Sequence, residues 1–254
     1  MVPILLGLIS LAGRRWGPRV AGWLAGFPVI TGPILVFLAL ERGAPFAAQA
    51  ASASLAAVFA STSFNVAYAH VCRRARWPLA LAAGLAAWLL AAVLLEQLSV
   101  LVWSSLALAL LALAAAPRLF PVMPLPPAFK PLPRSELFLR MIAAAVLTVL
   151  VTALAEQLGP SWSGLFAVFP LLGIVLAAFS HASNGAAFVI PLFRGMVAGH
   201  YSFSAFCLCA ALLVPVWGLL AGFATALAAA LVVQAAVQPV TRLARRYLLR
   251  RAAS

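Results

Sequence analysis

The segment Gly17-Pro18-Arg19-Val20-Ala21-Gly22-Trp23-Leu24-Ala25-Gly26-Phe27-Pro28 returns 142 residues later as Gly159-Pro160-Ser161-Trp162-Ser163-Gly164-Leu165-Phe166-Ala167-Val168-Phe169-Pro170. The same register, without a gap, pairs Gly43 with Gly185, Phe46 with Phe188, Ala56 with Ala198 and Phe64 with Phe206. A shift sustained over that length marks a duplicated multi-helix unit and not a short motif. Any fold assigned to one copy has to serve the other.

The medium in which the unit folds follows from its side chains. Of the residues, 66% are apolar and 8% charged, and runs such as Ala80 to Leu95 carry no charge. A soluble core does not need such runs; a bilayer does. The formal net charge of +13 invites a nucleic-acid reading. The arginines, however, fall in short clusters between apolar spans instead of tiling one face, so no nucleic-acid partner is expected. Cys72, Cys207 and Cys209 are too few and too oddly spaced for a disulfide framework or a zinc site.

A helix crosses the hydrocarbon layer in roughly 20 residues. Nine segments reach or approach that length: Val2 to Ala12, Val20 to Leu40, Pro45 to Val71, Pro78 to Leu95, Leu98 to Ala116, Leu137 to Ala155, Ser161 to Phe179, Ala186 to Leu212, and Val216 to Val237. The last two run together without a charged loop. The first copy breaks at Arg73-Arg74-Ala75-Arg76-Trp77-Pro78, and the repeat register carries that break to Pro215. The first segment is short, and its counterpart from Leu137 would begin before Met1, so either an earlier start, the favoured expectation, or a stub helix accounts for it.

Orientation comes from the basic loop residues. Arg14, Arg15 and Arg19; Arg73, Arg74 and Arg76; Arg118, Lys130, Arg134 and Arg140; and Arg242, Arg245, Arg246, Arg250 and Arg251 follow spans one, three, five and nine. All four clusters lie on one side, while Glu41, Glu96 and Glu156 collect on the other. The N-terminus is therefore expected outside and the C-terminus in the cytoplasm. With one span between the copies, the repeat becomes inverted, the recurring plan of secondary transporters. The expected fold is an all-α polytopic transmembrane bundle of about nine spans. Residues 1–97 form the first four-helix repeat, 98–136 a linking helix and Pro-rich cytoplasmic loop, 137–240 the second, inverted four-helix repeat, and 241–254 a basic cytoplasmic tail. The seven prolines of Pro117 to Pro133 predict an extended connection. The tail predicts an amphipathic segment on the inner leaflet.

Candidate site residues fall in three groups. Pro28, Gly32 and Pro33 in span two, and Pro170 and Gly173 in span seven, predict matching helix breaks, where freed backbone groups need protein, water or ligand. Matching interruptions in two halves point to a midplane site. Ser54, Ser61, Asn65 and Tyr68 share one face of span three, and Thr31 follows the first break. Such a stripe serves either as glue between helices or as a cavity wall. Arg194 in span eight, with Tyr201 on the same face, has no acidic partner in the spans. It either meets an anionic solute or snorkels to the interface. His200 lies off that face; His181 and Asn184 are expected in a cytoplasmic turn. There is no paired-carboxylate, Cys–His or Ser–His–Asp arrangement, so no catalytic residue, cofactor or metal is expected.

Gly164-Leu165-Phe166-Ala167-Val168-Phe169-Pro170, followed by Leu192-Phe193-Arg194-Gly195-Met196, resembles the small GlpM-type bacterial inner-membrane proteins, which are about one repeat long. The first copy carries the same core at Gly22 to Pro28, so the chain resembles a fused, inverted duplication of that unit; Arg194 departs from the pattern. The resemblance implies residence in the bacterial cytoplasmic membrane and names no substrate. The leading expectation is a secondary transporter or exporter of a small anionic solute. The alternative is a non-transporting scaffold or accessory protein of the cell envelope.

Overall fold

The computed structural model describes residues 2–98, 101–123, 133–158 and 169–251. Within them the chain is all helical, in nine helices: α1 (Val2–Trp16), α2 (Pro18–Ala25), α3 (Thr31–Arg42), α4 (Ala44–Val71), α5 (Trp77–Gln97), α6 (Val102–Leu119), α7 (Arg134–Leu158), α8 (Leu171–Asn184) and α9 (Ala186–Arg251). Four helices are long and apolar enough to cross a membrane, namely α4, α5, α6 and the Ala186–Val237 part of α9. Their outward surfaces agree with that solvent. Leu89, Leu90, Val93 and Leu94 of α5, Leu110 and Leu111 of α6, and Val216, Trp217 and Leu220 of α9 are exposed, an apolar band that water would penalise and lipid accepts.

The sequence of α2 explains the closest contact in the bundle. Gly22 and Gly26, four residues apart, face Gly195 and Gly199 of α9. A Cβ on Gly22 would lie 1.8 Å from the Leu192 carbonyl oxygen, one on Gly26 2.4 Å from that of Met196, one on Gly195 2.2 Å from that of Arg19, and one on Gly199 2.5 Å from that of Trp23. The two backbones touch, as small-xxx-small pairs permit. Beside them Gln234 Nε2 donates to the Trp23 carbonyl at 3.1 Å, and Ser202 Oγ bonds the Gln234 side chain.

Gly43 (φ 88°) and Gly185 (φ 70°) stand 142 residues apart in the left-handed half of backbone space. Each ends one helix and opens the next, α3 into α4 and α8 into α9. Only glycine holds such a conformation cheaply. The break expected at Pro215 falls instead at Gly218 (φ 78°, ψ 174°), inside α9. Pro215 is accommodated within the helical arm, whereas the chain leaves the helical path at Gly218 through a positive φ that glycine holds cheaply. Gly218 is the register partner of Arg76, which precedes α5. Its two arms fold back so that a Cβ on Gly222 would meet Val214 Cα at 2.7 Å.

Pro117 lies within the last turn of α6, which runs on to Leu119, so the connection starts later than expected from the prolines. Residues 124–132 of that connection, with Lys130, lie outside the described residues, as does the repeat core 159–168. The tail 242–251 continues α9 as helix; its side chains lie outside the description, and with them the amphipathic expectation. At the start of α7, Arg140 bonds Glu136 at 2.6 Å and Ser180 Oγ at 3.2 Å, and Ser183 Oγ donates to Glu136 at 2.9 Å. Arg140 is buried, so its charge depends on that pairing, which ties α7 to the end of α8.

Candidate functional site

Two proline turns build the site. After α2 the chain leaves the helix at Gly26, and the Val29 amide donates to the Phe27 carbonyl at 2.8 Å across Pro28; the Gly32 amide then donates to the Pro28 carbonyl at 3.0 Å. Before α8 the Leu171 amide donates to Phe169 at 2.7 Å across Pro170, and the Ile174 amide to Pro170 at 2.9 Å. These are the same two bonds shifted by 142 residues. Proline suits the centre of such an inverse γ-turn because its φ is preset and its missing N–H is not called upon; Pro170 sits at φ −77°, ψ 50°.

Between the turns lies a cavity of about 280 Å³. Its wall is paired by the repeat register: Phe27 with Phe169, Ile30 with Leu172, Thr31 with Gly173, Ser54 with Met196, Val58 with His200, and Ser61 with Phe203 all line it. Asn65 completes the α4 face, and Thr148 and Val151 of α7 close one side. Among the described lining residues there is no lysine, arginine, aspartate or glutamate. Asn65 (1% exposed) and His200 (7% exposed) are buried, and Asn65 Nδ2 and His200 Nδ1 have no hydrogen-bond partner among the described residues. Each such orphan costs about 1–3 kcal/mol.

The candidate residues divide between this cavity and other places. Thr31, Ser54, Ser61, Asn65, Pro170 and Gly173 line it together. Pro28 is buried behind the break that it makes, Gly32 packs near Phe206, and Pro33 faces outward. Tyr68 is fully buried, with its hydroxyl 3.3 Å from His181 Nδ1 and its ring against Phe64 and Phe193. It is core, and His181, expected as an ordinary turn residue, is its partner. Tyr201 is half-buried and packs against the core away from the cavity wall.

Arg194 does not reach the central cavity. Its guanidinium donates to the carbonyls of Phe120 (3.3 Å) and Pro121 (3.5 Å) and lies over the Phe120 ring. Together with Trp16, Gly17, Pro18 and Arg19 it lines a separate space of about 350 Å³. Both carbonyls lie just past the end of α6, where the backbone is extended at Phe120, and they hold the guanidinium by hydrogen bonds. His200 and Arg194 line different cavities. The sequence placed His200 off the Arg194 face, and it did not single out Phe27, Phe203 or Thr148 as wall residues. Carrying the α4 face Ser54, Val58, Ser61 through the register to Met196, His200, Phe203 is the signal that finds three of the wall residues.

No protein-family model matches this chain, and neither a curated protein nor a solved structure does.

Proposed function

We propose that the chain is a secondary transporter of a small solute, made of two inverted four-helix repeats joined by α6 and crossing the bacterial cytoplasmic membrane nine times. The central cavity is its solute site. One observation carries this: six pairs of wall residues related by a single 142-residue shift surround one cavity at two identical proline turns. A site on the pseudo-two-fold axis of inverted repeats is opened to either side when the copies exchange conformations. The N-terminus lies outside and the C-terminus in the cytoplasm, by the distribution of Arg and Lys. The architecture suits a fused GlpM-type duplication.

Two-sided access tests the proposal. In a variant free of Cys72, Cys207 and Cys209, single cysteines at Ser54 and Ser61 are expected to react with a membrane-impermeant thiol reagent added from either face of oriented vesicles. Labelling from neither face would favour a closed scaffold of the envelope and overturn transport.

A further inference from the structure

We infer that the central cavity is an anion site built without a cation, an inference that rests on the transport reading and gives its substrate class. The solute is a small monoanion of monocarboxylate type. Its oxygens meet Asn65, His200 and the first turns of α3 and α8, and its apolar body lies against Phe27, Phe169 and Phe203.

Three observations converge. The N-terminal turns of two helices reach the wall, at Ile30 and Thr31 and at Leu171, Leu172 and Gly173. In α3 the Gly32 and Ile34 amides are taken by the Pro28 and Ile30 carbonyls and Pro33 has none, and in α8 the Leu171 and Ile174 amides are taken by Phe169 and Pro170. The donors left at the two ends are those of Thr31, Leu172 and Gly173, where each N-terminus carries roughly half a positive charge. The C-terminal end of α2 also reaches the cavity at Ala25 and Gly26, so one carbonyl end stands against two amide ends. Secondly, Asn65 and His200 hold buried nitrogens with no partner, on opposite copies of the repeat. A half-turn about the Cβ–Cγ bond of Asn65 exchanges Nδ2 with Oδ1 and lets the amide present its donors to a bound oxygen. Thirdly, the described wall holds no carboxylate, so a cationic solute would meet positive helix ends and no counter-ion.

Arg194, the cation that the sequence offers for an anion, lines another cavity, where one guanidinium nitrogen donates to the Phe120 and Pro121 carbonyls and Nε has no partner among the described residues. The volume of about 280 Å³ holds one small organic molecule, and the aromatic wall disfavours a fully hydrated ion.

Benzoate, benzamide and benzamidine share one shape and carry charges of minus one, zero and plus one, so they isolate the charge. Thermal unfolding of the purified full chain in detergent is followed at neutral pH with each probe. Benzoate is expected to raise the midpoint with the logarithm of its concentration once that exceeds its Kd. Benzamide is expected to need about ten times the concentration, and benzamidine to give no shift. Asn65→Leu and His200→Leu are each expected to weaken the benzoate response about tenfold; His200→Leu decides if Asn65→Leu does not fold. Arg194→Gln is expected to leave it unchanged.

The anion site is overturned by an absent benzoate response or by an equal or stronger response to benzamide or benzamidine. Indifference to both cavity substitutions, or loss in Arg194→Gln, overturns it as well. Benzoate binding without benzoate entry into proteoliposomes would overturn transport and leave the site. Two-sided labelling of the Ser54 and Ser61 cysteines without a benzoate response would do the reverse.

Discussion

At the scale of single residues, the glycines at the α2–α9 crossing are the least replaceable in the described bundle. Gly22 has a carbonyl oxygen where its Cβ would be, and that oxygen belongs to backbone, which cannot rotate away. Gly22→Ala is therefore expected to cost at least about 3 kcal/mol, at the upper end of overpacking effects. The measurement is thermal unfolding in detergent; a midpoint within a degree of wild type would contradict the crossing. Gly7→Ala is the control. Its added carbon would meet only the flexible Met141 side chain, at 3.3 Å, and a small effect is expected. Arg194 teaches a different lesson at this scale. A costly charge inside an apolar segment marks either a ligand or a long side chain reaching out, and only the positions of the Phe120 and Pro121 carbonyls decide between them.

At the scale of elements, helix boundaries follow backbone freedom more closely than they follow proline. Pro117 and Pro215 both lie in helices, while Gly43, Gly185 and Gly218 mark the reversals. Gly218→Ala is expected to destabilise by about 1–3 kcal/mol, since ψ near 174° with positive φ is a glycine region. Pro215→Ala is expected to change stability by less than about 1 kcal/mol, because nothing at the turn depends on the pyrrolidine ring. Unfolding midpoints of the two variants compare them directly, and a larger loss for Pro215→Ala would place the turn wrongly. The broken elements were legible because Phe-Pro recurs at one register, and the paired inverse γ-turns follow from it. The fate of span three's stripe was legible only in part. Ser54, Ser61 and Asn65 reach the cavity while Tyr68, one turn further along, does not. A stripe has one direction, but a cavity covers only a short length of it.

At the scale of the whole molecule, the orientation drawn from the basic clusters can be checked without a substrate. A reporter fused after Ser254 is expected to read cytoplasmic, and one joined ahead of Met1 external; the opposite result would reverse the topology while leaving the cavity as it is. The proposed transport cycle needs the two copies to be interchangeable in conformation. The turns at Pro28 and Pro170 share one hydrogen-bond pattern, and the glycines at positions 43 and 185 both have positive φ. Asymmetry enters at the wall, where Val58 lines the cavity from one copy and His200 from the other. Periodicity, charge-free length and the 142-residue register by themselves determined an all-helical, membrane-suited chain with two proline interruptions, because each is a local property of consecutive residues. Only tertiary structure decided which polar groups share a cavity. That depends on the glycine crossing that sets how α2 meets α9, and on the carbonyls at the end of α6 that draw Arg194 away; both join residues far apart in the chain, where periodicity is silent.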